Sequence, residues 1–136
     1  MYTEKQLNQL VKRLNKVCKH LDEIYDLNNG GCCYAAWVIA KELKKHEIPY
    51  QLMVFETEPF ISINESHCHY ALVVNGKIIN GSEFIHKRRY YRQTFTNISP
   101  NKLLTLYRTL EWNDYYNKKY NSYVKTMLIT YCNEVL

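Results

Sequence analysis

Apolar residues recur every three to four positions at the start of the chain, at Leu7, Leu10, Val11, Leu14, Val17, Cys18, Leu21 and Ile24. This spacing lines one side of a 3.6-residue helix and predicts a long amphipathic N-terminal helix. Thr3 followed by Gln6 provides a reciprocal capping pair in front of it. Residues 26–31, Asp-Leu-Asn-Asn-Gly-Gly, break the pattern with types that tolerate positive φ and close backbone approach. A second helix is predicted from about Cys32 to about Lys45, with Ala36, Ile39, Ala40 and Leu43 on the stripe that also holds Cys32. Cys32 therefore starts a buried helix at the edge of its apolar face.

Beyond Ile48-Pro49 the period changes. A strand is predicted over Tyr50 to Phe55, and residues 56–66, with Pro59 among polar neighbours, read as a loop bordering a cleft. The next strand runs from about His67 to Val74, with His67, His69, Ala71 and Val73 on one face and Tyr70, Leu72 and Val74 on the other. Asn75-Gly76 is a strong hairpin signal, and the return strand runs from Lys77 to about Asn80. Ser99-Pro100 is an N-cap followed by proline at the first helical position, opening a helix through Leu103, Leu104, Tyr107 and Leu110. Asn113 caps a last helix whose stripe is Tyr116, Tyr120, Val124, Met127, Tyr131 and Val135. With no repeat or linker in between, residues 1–136 read as a single α+β domain. N-terminal helices pack on a small antiparallel sheet, and two C-terminal helices form an extension over about 99–136.

At 136 residues and 46% hydrophobic content the chain has the material for one core. No apolar run is long enough to span a bilayer, and the charged N-terminal helix does not read as a signal sequence. Five cysteines, two of them adjacent, suit free thiols in a reducing compartment better than a disulfide framework. A cytoplasmic protein is expected, and the abundance of Asn, Lys, Ile and Tyr suggests a bacterial or phage genome rich in A and T. The net charge of +5 is uneven: eight basic against nine acidic residues over 1–76, and ten against four over 77–136. Eight of the thirteen tyrosines also lie in the second part, so any nucleic-acid contact would involve the basic C-terminal region. A solvated lysine face over a tyrosine core accounts better for the aromatic spacing there.

A thiol at a helix N-terminus meets the positive end of the macrodipole and free N–H groups, which favour its thiolate and later an oxyanion. Cys32 leads Cys33 on helical phase and on adjacency to Gly30-Gly31, and the Asn28 or Asn29 side chain adds a further oxyanion donor. A strand histidine supplies the matching base, because its ordinary pKa lies near neutral. His69 leads His67 because it lies deeper in the strand.

Gly30-Gly31-Cys32 opening a helix, Ala36 one turn on, Leu43 and His46-Glu47-Ile48-Pro49 before a strand, then His69 and Asn75-Gly76, resemble the core of papain-like cysteine enzymes. The likeness is to the transglutaminase-like branch in particular and covers about residues 28–84. It implies a papain-like fold and a triad completed by Asn80 on the return strand. Cys32 would be the nucleophile, His69 the base, and the Asn80 amide oxygen the group that orients the ring. The implied activity is a cysteine-dependent hydrolase or acyl transferase, working on a peptide or amide bond of a peptide or protein substrate through a thioester, with no cofactor and no metal. That family usually has a glycine where this chain has Glu47.

Two other classes begin from the same residues. His67-Cys68-His69 matches the paired histidines of HUH single-strand nucleases, which bind a divalent metal, and Tyr116 and Lys119 provide a Tyr-x-x-Lys sequence. The pair also suggests a weaker zinc set of Cys32, Cys33, His67 and His69. A catalytically inactive papain-like fold used as a binding module is the third class.

Overall fold

The computed structural model describes residues 2–25, 32–59, 68–85, 89–108 and 118–136. Helix α1 spans Glu4–Tyr25 and begins at the anticipated cap: Thr3 N–H donates to Gln6 Oε1 at 2.8 Å and Gln6 N–H to Thr3 Oγ1 at 3.1 Å. Leu10, Leu14 and Leu21 on its apolar stripe are fully buried. Helix α2, Cys32–Lys45, is buried along most of its length because it lies between β2 and the C-terminal helices. Its end is a Schellman turn, in which Ile48 N–H reaches Leu43 O at 2.8 Å and Glu47 N–H reaches Lys44 O at 3.0 Å. Glu47 takes φ 58°, the left-handed conformation for which a glycine would be the usual residue.

The sheet comprises β1 (Gln51–Glu56), β2 (His69–Val74), β3 (Lys77–Ile79) and β4 (Tyr91–Phe95), antiparallel throughout in the order β3-β2-β1-β4. Asn75 and Gly76, at φ 51° and 74°, form the hairpin turn whose twist matches the strands they join. The register pairs Phe55 with His69 and Leu72 with Ile79. Leu52, Val54, Tyr70, Leu72, Val74 and Ile79 join the helices in one core, while strand alternation sends His69 and Ala71 to the other face. A short helix, α3 (Ser82–Ile85), follows β3.

Helix α4, Pro100–Arg108, is capped by Ser99, whose Oγ accepts Lys102 N–H at 3.2 Å. Helix α5, Lys118–Val135, packs on both α1 and α2. Among its described side chains the fully buried ones are Val124, Leu128 and Cys132, with Met127, Tyr131 and Val135 half-buried beside them. This differs from the expected stripe by a rotation about the helix axis, because two helices cover α5 where one apolar face was anticipated. Asn113 and Tyr116 lie outside the described residues. The coarse architecture is α+β, with helices on a four-stranded antiparallel sheet. Strand β4 and helix α3 are additions to the expected elements. Among the described residues no helix is long and apolar enough to cross a membrane.

Candidate active site

Cys32 is the first residue of α2, and its side chain packs against the His69–Tyr70 peptide of β2. The N–H groups of Tyr70, Cys33 and Cys32 hydrogen-bond toward its sulfur and favour the thiolate. Burial outweighs them. The thiol is only 3% exposed and its pKa is pushed up to about 11. The helix terminus alone predicts a depressed thiol pKa, and the structure corrects this: loss of hydration costs the anion more than the three donors return. Cys33 is fully buried, and its S–H donates to the Leu103 carbonyl of α4 at 3.5 Å. Burial, then the neighbouring Cys32, push its pKa up further. The two adjacent thiols thus have separate environments, Cys32 facing the strand and Cys33 tied to α4.

His69 is completely buried on the other side of β2, in an aromatic pocket formed by Phe55 across the strand pair and Phe84 of α3. Burial pushes its pKa down to about 4, against upward contributions from the Asn80 carbonyl and the Asp22 carboxylate. The ring is therefore neutral at pH 7. Its Nε2 meets the backbone carbonyl of Asn80, which only accepts, so Nε2 carries the proton and Nδ1 is left with a bare lone pair. Nδ1 has no hydrogen-bond partner among the described residues.

Asn80 follows β3 directly and adopts φ 64°. The papain-like resemblance implies that its side-chain amide orients the ring. The structure assigns that contact to the main-chain carbonyl, because the left-handed turn swings the peptide toward His69. The side-chain Nδ2 of Asn80 is buried with no hydrogen-bond partner among the described residues. Gly81 next to it is obligatory for space, since a Cβ there would lie 2.7 Å from Ala71 Cβ and 2.9 Å from Ile78 Cγ2.

The structure therefore joins His69 to Asn80 and brings Cys32 to the backbone of the same strand, and it makes no hydrogen bond between Cys32 and His69 among the described residues. A cavity of about 450 Å³ lies beside the Asn80 turn, bounded by Asn15, Lys19 and Asp22 of α1 and by Ser82 and Glu83. A larger one of about 810 Å³ runs between α1 and α5. Neither is lined by Cys32 or His69.

Residues 28–31, His67, Tyr116 and Asn117, which carry the Gly-Gly turn, the second histidine and the nuclease motif, lie outside the described residues. No group of three or more His, Cys, Asp or Glu side chains suited to a metal occurs among those described. Sequence reasoning missed Phe84, Asp22 and Asn15. The seven-residue spacing of Asn8, Asn15 and Asp22, which places them on one stripe of α1, was the available signal. Compared with protein-family models, curated proteins and solved structures, the chain matches none.

Proposed function

We propose that the protein is a cysteine-dependent hydrolase or acyl transferase with a papain-like core, acting on a peptide or amide bond of a peptide or protein substrate. The observation that carries this is the placement of the Cys32 thiol at the first turn of α2 against the His69–Tyr70 peptide, with three backbone N–H groups directed at its sulfur. Those donors stabilise negative charge on sulfur, and the same region can stabilise the oxyanion that forms when sulfur attacks a carbonyl. His69 contributes a neutral imidazole with an unprotonated Nδ1, the form a general base requires. In the reaction the S–H bond of Cys32 breaks as Sγ attacks the carbonyl carbon, and because His69 lies on the opposite face of β2 in the resting structure, the proton reaches its Nδ1 only once substrate engagement opens the pocket around the ring. The leaving amine departs with a proton from the imidazolium, and water or a second amine cleaves the thioester.

The resting protein holds Cys32 as a thiol and His69 as a neutral base, so proton transfer is coupled to substrate engagement. Electrophilic peptide and amide probes followed by mass mapping test the assignment. Acylation of Cys32 that Cys32→Ala and His69→Ala abolish and Cys33→Ala preserves is expected. Equal, slow modification of Cys32 in the wild type and in His69→Ala would overturn it.

The near-complete burial of Cys32 and His69 favours a second reading, an inactive fold of the same kind used as a binding module. Its signature in the same experiment is a Cys32 that no probe acylates.

A further inference from the structure

The turn that presents a carbonyl to His69 is held from outside the strand hairpin. Asn80 sits at φ 64°, a left-handed conformation that costs a residue with a side chain and persists where neighbours over-determine it. Asn15 of α1 supplies that restraint with a single amide. Its Oδ1 accepts the Asn80 N–H at 2.7 Å and its Nδ2 donates to Ile78 O at 2.8 Å, gripping the chain on both sides of Ile79 just before the turn.

We infer that Asn15 is a positioning residue for His69: by fixing the Asn80 turn it holds the ring in the Nε2–H tautomer and leaves the Nδ1 lone pair as the proton acceptor. Its catalytic meaning rests on the thiol-enzyme reading, whereas the tautomer belongs to the resting protein. The chain of contacts is continuous, from the Asn15 amide to the Asn80 N–H, through that residue to its carbonyl, and from the carbonyl to His69 Nε2–H. Asparagine makes both bonds of this grip, because it offers a donor and an acceptor on one short planar group, and the acceptor bond to Asn80 N–H is the one that fixes the turn. Aspartate keeps only the acceptor and alanine neither. Asp22, two turns further along the same stripe, adds a negative charge that works against the burial of the ring by favouring its protonated form.

The test is nitrogen NMR of the His69 ring in the wild type, Asn15→Ala and Asn15→Asp, read beside the rate at which a peptide electrophile acylates Cys32. The wild type should show one pyrrole-type and one pyridine-type nitrogen, with the proton on Nε2. Asn15→Ala should lose that separation as the two tautomers exchange, and Cys32 acylation should fall about 10²-fold with it. Asn15→Asp, which keeps the acceptor for Asn80 N–H, should retain the wild-type ring signature. A wild-type signature in Asn15→Ala overturns the inference whatever happens to stability. A Cys32 that stays inert in the wild type overturns the enzyme reading instead and leaves the ring signals to decide the positioning. Should Asn15→Ala not fold, wild-type hydrogen exchange decides: slow exchange at the Asn80 amide supports the grip, and exchange at the rate of an unprotected amide overturns it.

Discussion

His69 and Phe84 stack face to face, with ring centroids 4.0 Å apart and planes inclined by 11°. A short helix that the apolar periodicity does not announce thus provides one wall of the imidazole's pocket. The stack favours the neutral ring because Phe84 displaces water that would otherwise solvate an imidazolium. Phe84→Ala should therefore raise the His69 pKa from about 4 toward the ordinary value near 6.5. A proton NMR titration of the ring reads this directly, and titration that stays near 4 would show that Phe55 and the sheet alone keep water out.

The same burial makes stability depend on pH. The folded ring binds its proton only near pH 4, whereas the unfolded ring does so near 6.5. Between these values the unfolded chain holds a proton that the folded chain lacks, so stability falls as pH drops from 6.5 to 4 and is fully present above that window. The loss is on the order of 3 kcal/mol for this one group. At the alkaline end, Cys32, Cys18 and Cys132 ionise near 9 when unfolded and only at about 11, 12 and 12 when folded. Stability should therefore decline again above pH 9. Urea melts between pH 4 and 10 should show a plateau from about 6.5 to 9, and a His69→Gln variant should lose most of the acid-side slope.

Thiol labelling should follow exposure. Cys68 is exposed, whereas Cys18, Cys32, Cys33 and Cys132 are buried. Brief iodoacetamide treatment at pH 7.5 should modify Cys68 first, with the other four reacting at rates set by opening of the fold. Fast modification of Cys32 by this small reagent would show a thiolate that the buried environment does not account for.

Glu47→Gly should stabilise the protein by about 1 kcal/mol, since it relieves the left-handed strain in the Schellman turn. Glycine's greater freedom in the unfolded chain offsets part of the gain. The expected signature is a Tm higher by roughly 3–5 °C, with no change in thiol labelling.

What the sequence makes legible is what short-range chemistry specifies. Thr3 with Gln6, Ser99 before Pro100, and Asn75-Gly76 each satisfy their own backbone groups within a few residues, and all three structures appear where those residues stand. Strand β4 has no such mark. Its Tyr91, Arg92, Gln93 and Thr94 are exposed at a sheet edge, so no apolar alternation records the pairing with β1. The burial of His69 depends on Phe84, fifteen positions away in sequence, and the ring contact of Asn80 comes from a main-chain carbonyl that any residue type possesses. Side-chain identity can propose Asn80 as a partner for the histidine, but only the turn geometry shows which of its oxygens makes the contact.

The asparagines of α1 also measure length. Asn8 accepts from Asn75 Nδ2 at the hairpin tip, and Asn15 grips Ile78 and Asn80 at its far end. Seven helical residues advance about 10.5 Å, and three extended residues about 10 Å, so helix and strand keep step over this interval. One residue inserted between Asn8 and Asn15 would turn the second asparagine by about 100° around the helix and release the Asn80 turn. An insertion of seven would preserve its face but carry it two turns past its partner. The separation of these two residues is thus a gauge against which the β2–β3 hairpin is cut, and α1 should tolerate substitutions on its outer face far better than any change in the number of residues between them.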